Sequence, residues 1–463
     1  MGIQFDATNL SAAMTGGDHG ITKSELKRGE AVARQALAGV RALVESGEIG
    51  FPHLPFQQKT VAAIRKSAAE VKGSYDTVCL IGIGGSALGA WALDCALRGP
   101  HPVQGAFSAA FPRLVILDNV DPSFIGSALA SMQPKKTLVV VAAKSGATAE
   151  TGSVFLIVKQ WLEAALGKKA ASRIVAVTSE HRGDLIVLAK KEGYRTFFLD
   201  ENVGGRFSVL SPIGLVPAAL VGMDIAKLTK GAAEMTALCW KEDLETNVAL
   251  RAALQHFLVW TLRGKTIQVA FPYSNRLWGM AFWFRQLWAE SLGKKTNRAG
   301  EVVYTGQTPI AALGTTDQHS QVQLYMEGPN DKVYTFWGVE KFADSGKIPK
   351  AKTGLDAFDY LGGQTLAKLL NAERKATTAA LTATGRPNCT FLLERVDAAH
   401  VGAFLQLMMF ETAFLGEMLN INAFNQEGVE LGKKYTFGLM GRKGWEALAA
   451  EYDAYEEKQK KSR

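Results

Sequence analysis

Between residues 77 and 201 the chain repeats one pattern: a short, strongly apolar run, then a stretch long enough for a helix. The runs are TVCLIGIG, RLVILDN, KTLVVVAAK, RIVAVTS and RTFFLDE. Apolar runs of strand length that alternate with helical segments require a parallel sheet covered by helices on both faces. Near residue 230, after GMDIAKLTKGAAEM, the pattern restarts, and strands are expected at KTIQVAFPY, QVQLYMEG, KVYTFWGVE and TFLLERV. The expected fold class is α/β, with two tandem three-layer αβα domains and parallel-rich sheets. Their expected bounds are residues 53–230 and 231–415. A helical segment over 1–52, built on SELKRGEAVARQALAGVRALVESG, precedes them, and a helical section over 416–463 follows. A chain of 463 residues, 47% of them hydrophobic, has ample material for both cores.

In such sheets, ligands bind where strands end and helices begin. The first strand runs into GGSALGAWAL, with glycines at 82, 84 and 85 and then Ser86. Glycines permit a tight turn and close backbone approach, and a helix start offers free N–H groups to an anion. A second such junction supplies Lys144, Ser145 and Thr148, with Glu150 in the following first turn. Hydroxyls together with helix-start amides suit a phosphate monoester dianion. Each loop taken singly reads equally as an ordinary helix cap. GIGGSA also nearly fits the dinucleotide turn GxGxxG, but Asp118 lies too far along the chain for the ribose-binding acid of that motif. Paired hydroxyl-rich loops fit one phosphate better than a pyrophosphate.

A third loop, ENVGGRFSVLSPIGL, sets Arg206 after two glycines. A fourth, FNQEGVELGKK, clusters Gln426, Glu430 and Lys433. GTTDQHSQVQLY places His319 among polar residues before an expected strand. Within FWFRQLWAESLGKK, Trp278, Phe282, Trp283, Leu287 and Trp288 recur at helical spacing, with Gly293 as the stop signal. Gln286 and Glu290 share one face of that helix. Glu290 stands in the last turn, where the helix dipole disfavours a negative charge by roughly 0.3–1 kcal/mol at an exposed site. Taken alone, a glutamate there reads as an ordinary solvated residue; enclosed among aromatic residues, its carboxylate would instead be the strong base that proton transfer needs.

GIGGSALG, AAKSGATAET, GGRFSVLSPIGL, QLWAES, GTTDQHSQVQL and FNQEGVELGKK, in this order, resemble the phosphoglucose isomerase family over roughly residues 70 to 436. The resemblance implies two sugar-isomerase domains side by side, with the active site shared across a homodimer. It implies interconversion of glucose 6-phosphate and fructose 6-phosphate through an enediolate, without a cofactor or a metal. By the same resemblance Gly85, Ser86, Lys144, Ser145 and Thr148 hold the phosphate, and Glu290 moves the proton between C1 and C2. Arg206 stabilises the enediolate, and His319 and Lys433 assist ring opening, the histidine acting from the neighbouring subunit. Gln426 orients the substrate, and Gln286 is a further candidate for binding it. Ala143 and Ala147 stand where hydroxyl residues often occur in the family, which leaves fewer phosphate donors.

Aldose–ketose chemistry agrees with these residues. One carboxylate must take a weakly acidic proton beside a carbonyl and return it to the next carbon. A fixed guanidinium stabilises the oxyanion that develops meanwhile. A net charge of +8, scattered along the chain, suits a small anionic ligand better than a nucleic-acid track. The four cysteines show no paired spacing and the seven histidines no HxxxH or HxH cluster, so neither disulfides nor a metal site is expected. No basic n-region followed by an apolar h-region opens the chain, and VGAFLQLMMFETAFLGEMLNI is interrupted by glutamates. A cytoplasmic protein that does not span a membrane is expected. Rival readings are an isomerase that also accepts mannose 6-phosphate and a non-catalytic sugar-phosphate sensor. Glu290, His319, Arg206 and Lys433 are all present, which weighs against a sensor.

Overall fold

Two sheets of five strands organise the protein, seen here in a computed structural model that describes residues 2–99, 111–144, 148–350 and 352–462. The chain opens with a strand, β1 (Ile3–Asp6), and then forms the long helix Lys23–Glu45. That helix starts at a capping box: Thr22 and Glu25 each satisfy the other's free backbone N–H. The first sheet follows, with β2 (Thr77–Ile81), β3 (Arg113–Leu117), β4 (Thr137–Ala142), β5 (Ile174–Thr178) and β6 (Arg195–Phe198). All its pairings are parallel, in the order β3-β2-β4-β5-β6. β2, β4 and β5 are buried at every position, as their uninterrupted apolar runs require.

This order reverses direction at β2 and β4, so a crevice opens beyond the carboxyl ends of those two strands. The loops carrying Ser86 and Thr148 leave from these two ends.

The second sheet is built from β7 (Ile267–Pro272), β10 (Thr308–Ala311), β11 (Lys332–Val339) and β12 (Asn388–Leu393), with β1 antiparallel on its edge. A separate ribbon pairs β8 (Lys294–Thr296) with β9 (Val302–Thr305). One expected strand is corrected here: Val322–Glu327, within QVQLYMEG, is a helix, and β10 occupies the sheet instead. The apolar residues there meet the core as Val322, Tyr325 and Met326, at helical spacing, while Leu324 is exposed. His319 accordingly lies on a short helix, Thr316–Ser320, and not on the approach to a strand.

The helix Ala398–Met418 is the one described helix long and apolar enough to cross a membrane, yet 83% of its most apolar window is buried inside the protein. It packs against the helices Ile225–Cys239 and Val248–Arg263 as a core element. The chain divides into two compact units, Met1–Ala423 and Phe424–Arg463. In the second, Tyr435 of the helix Glu430–Leu439 donates its hydroxyl hydrogen bond to Glu451 of the helix Glu446–Ser462.

Candidate active site

The helix Asn275–Leu292 carries the central carboxylate. Leu277, Met280, Ala281, Phe284, Leu287, Trp288 and Leu292 are buried, and Gly293 closes the helix by donating its N–H to Ala289 O. Packing, more than helix propensity, holds so aromatic a helix together. Its neighbour is the helix Leu88–Arg98, which follows the first glycine loop. Gly279 makes this approach possible: a Cβ there would lie 2.9 Å from Cys95 Cβ and 3.1 Å from Ala92 Cα. The helix after the first phosphate-type loop and the helix of Glu290 are thereby locked together.

Gly85 makes a second close approach. An added Cβ would stand 2.2 Å from the carbonyl carbon of Gly205 and 2.7 Å from Arg206 N. Only glycine fits, so the loop after β2 lies directly on the turn that presents Arg206. Gln286 joins the same place, its Nε2 being 3.0 Å from the Cβ position of Gly84.

Arg206 is almost fully buried, with a side-chain exposure of 1%. Its Nε donates to Ser291 Oγ at 2.7 Å, and its Nη2 donates to Ala423 O at 2.6 Å. Its Nη1 stands 3.4 Å from Glu290 Oε1. Burial lowers the guanidinium's pKa from its ordinary value, and the Glu290 carboxylate opposes that shift. Glu290 keeps a side-chain exposure of 24%, and its other oxygen accepts from Gln286 Nε2 at 3.0 Å. The expectation of a carboxylate enclosed by aromatic rings is corrected by these contacts. The carboxyl oxygens meet a guanidinium and an amide. Gln286 Oε1 is buried without a hydrogen-bond partner among the described residues, an acceptor left over for a ligand hydroxyl.

The phosphate-type loops are less uniform. Ser86 ends a single 3-10 turn, Gly84–Ser86, and its backbone N–H bonds Ile83 O. Thr148 begins the helix Ala149–Leu166 without a side-chain cap bond. Neither hydroxyl has a hydrogen-bond partner among the described residues. Ser145 and Ala147 lie outside the described residues. Lys144 is turned toward the end of β6, with Nζ donating to Glu201 O at 2.5 Å and to Val203 O at 3.2 Å. Its pKa is lowered by burial, an effect that Glu201 counters.

The remaining expected residues are found in other settings. His319 is exposed and makes no side-chain hydrogen bond or ion pair among the described residues. Lys433, in the second unit, pairs with Glu430 at 2.9 Å on its own helix, both side chains 48% exposed. Gln426, also in the second unit, is exposed and precedes the turn Glu427–Val429. Ser291 and the Ala423 carbonyl were not singled out in the sequence. A buried serine in a final helical turn, beside a candidate base, is the one local signal that pointed to the former. No group of three or more His, Cys, Asp or Glu side chains among the described residues could hold a metal ion. The four cysteines are buried and none forms a disulfide among the described residues.

The sequence is 44% identical to a glucose-6-phosphate isomerase of Carboxydothermus hydrogenoformans, over 89% of each chain. It is 39% identical to one of Rubrobacter xylanophilus, covering 96% of this chain and 99% of that one. A solved structure from Thermus thermophilus, described only as a hypothetical protein, superposes with a TM-score of 0.84 at 36% identity. That match covers 95% of this chain and all of the other. The family model for phosphoglucose isomerase matches residues 61–454, a span that runs through both sheets, the Arg206 turn and the Glu290 helix. A family match over most of the chain, with relatives of 44% and 39% identity across nearly their whole length, leaves a single conclusion: the chain belongs to the phosphoglucose isomerase family.

Proposed function

We propose that the chain interconverts glucose 6-phosphate and fructose 6-phosphate, the glycolytic reaction of its family, at the site formed by Arg206, Glu290 and Gln286. The observation that carries this reading is a buried guanidinium 3.4 Å from a carboxylate that stays partly open to ligand. Glu290 removes the proton from C2 of the open-chain aldose, and the C2–H electrons form the C1–C2 double bond of an enediolate. The carboxylic acid then returns the proton to C1, while the hydroxyl proton of the C2 oxygen passes to the C1 oxygen, leaving a C2 ketone and a C1 hydroxyl. Arg206, already desolvated, stabilises the oxyanion without reorganising. Gln286 offers its unpaired Oε1 to a sugar hydroxyl.

The crevice beyond β2 and β4 takes the phosphate, through Gly85, Ser86, Lys144, Ser145 and Thr148. Helix-start amides and free hydroxyls support that assignment. For Lys144 to contribute, it must exchange its carbonyl partners for the dianion. His319 acts in the site of a second copy within a homodimer, and Lys433 shares the ring-opening step. Gln426 orients the open chain. The two catalytic domains are residues 53–230 and 231–415, with 1–52, which lends β1 to the edge of the second sheet, and 416–463 flanking them.

A coupled assay on fructose 6-phosphate tests the reading. Glu290→Gln is expected to abolish most turnover while a phosphorylated open-chain polyol still binds. Equal loss of turnover and binding would remove the proton-transfer role. Light scattering at assay concentration tests the dimer.

A further inference from the structure

Arg206 approaches Glu290 in one orientation, and a neutral side chain sets it. Ser291 is fully buried, follows Glu290 directly, and accepts the Arg206 Nε hydrogen at 2.7 Å. The Ala423 carbonyl accepts from Nη2 at 2.6 Å. The guanidinium is planar with a rigid fork of donors, so fixing Nε and Nη2 also fixes where Nη1 points. It points at Glu290, 3.4 Å away. The ring of Phe207 lies beneath the group, its centroid 5.6 Å from the guanidinium carbon.

We propose that Ser291 is a positioning residue for the isomerisation: its hydroxyl aims Arg206 at the enediolate oxygen. This rests on the reading of Arg206 as the oxyanion-stabilising group. The logic is geometric. Ser291 and Glu290 are consecutive residues of one helical turn, so the partner that orients the guanidinium and the base it faces move as one body. A carboxylate in place of the serine would bind the cation more tightly, yet it would neutralise the charge the oxyanion needs. A hydroxyl orients and leaves the charge available. The arrangement therefore favours the planar, anionic intermediate over the bound sugar itself, which raises turnover without tightening substrate binding.

The test compares two inhibitors on the full-length enzyme. One is a phosphorylated hydroxamate that mimics the planar enediolate, and the other is a phosphorylated polyol without that oxyanion. Ser291→Ala is expected to lower kcat by about tenfold with KM within about twofold, the pattern of an interaction realised in the transition state. Hydroxamate affinity falls by a similar factor and polyol affinity does not change. Ser291→Thr, which restores the hydroxyl, recovers most of the kcat. Should Ser291→Ala fold poorly, Ser291→Cys keeps the volume with a weaker acceptor and shows the same split, less steeply.

Unchanged kcat and hydroxamate affinity in Ser291→Ala, or a uniform loss with both inhibitors in proportion to lowered stability, overturns the proposal. Arg206→Ala separates the two levels of the argument. If it loses hydroxamate affinity and Ser291→Ala does not, the positioning role alone is wrong. If Arg206→Ala keeps that affinity, the oxyanion assignment fails and the serine's role fails with it.

Discussion

Two ion pairs sit on opposite sides of the helix Asn275–Leu292, and they serve different ends. Arg206 and Glu290 are 1% and 24% exposed. His256 and Glu411 are each 1% exposed, with Nδ1 and Oε1 2.6 Å apart. His256 Nε2 is also 3.1 Å from Thr335 Oγ1, which accepts from Gln268 Nε2 at 2.7 Å. The imidazole meets Trp288 edge-on, with ring centroids 5.9 Å apart. Both pairs join a cation to a glutamate across long sequence separations. The difference is access. A pair sealed on every side can only hold structure, whereas a pair whose carboxylate stays partly exposed can exchange its partner for a ligand.

That contrast predicts opposite phenotypes. The largest expected effect is on turnover: Glu290→Gln lowers kcat by about 10²–10⁴-fold, the usual contribution of a positioned acid–base group, and barely shifts the melting temperature. Thermal melting alongside the coupled assay checks this, and a large stability loss would make the two pairs alike. Next comes Glu411→Ala, which strands a buried imidazole and is expected to cost about 3–5 kcal/mol in denaturant titrations. The kcat of its folded fraction stays within about twofold of the parent. Replacing both partners, His256→Phe with Glu411→Leu, recovers most of the lost stability, because no uncompensated charge remains buried.

The pH dependence sharpens the same distinction. Burial alone pushes the His256 imidazole down, but the adjoining Cys389 sulfur and Glu411 carboxylate outweigh it and hold it up to about 10, against an ordinary value of 6.5. A raised folded value means the stabilisation is complete below the unfolded pKa and disappears as pH rises through the folded one. Denaturant midpoints should therefore fall between about pH 6.5 and 10 in the parent chain, and less so in Glu411→Gln. A parent curve that rises over this window would contradict a buried imidazolium. The smallest effect belongs to a surface pair, Arg34 and Glu30, 58% and 38% exposed. Arg34→Ala is expected to change stability by no more than about 1 kcal/mol and turnover not at all.

Much of this architecture is legible along the chain, for a physical reason. β2, β4 and β5 fall within the expected apolar runs because a strand buried on both faces must be apolar throughout. The second sheet is harder to read. β10 is a short edge strand containing Pro309, a residue that edges tolerate and that weakens a strand signal. QVQLYMEG alternates like a strand, but Tyr325 is the residue that packs against Phe271 and Tyr334, so tertiary contact selects the helical period. β1 joins β12 from the opposite end of the chain, a pairing for which no local pattern exists.

The site divides in the same way. Local sequence determines the glycine turns at 84–85 and 204–205, the helix under Glu290 and its stop at Gly293, since each depends on backbone freedom or on the spacing of apolar side chains within a few residues. Only the tertiary structure decides that Arg206 reaches Ser291, 85 residues away, and Ala423, 217 residues away. Close packing at Gly85 and Gly279 brings those segments together. It also decides that Glu290 meets a guanidinium and an amide. Periodicity tells which residues share a face; what lies opposite that face depends on how the rest of the chain packs.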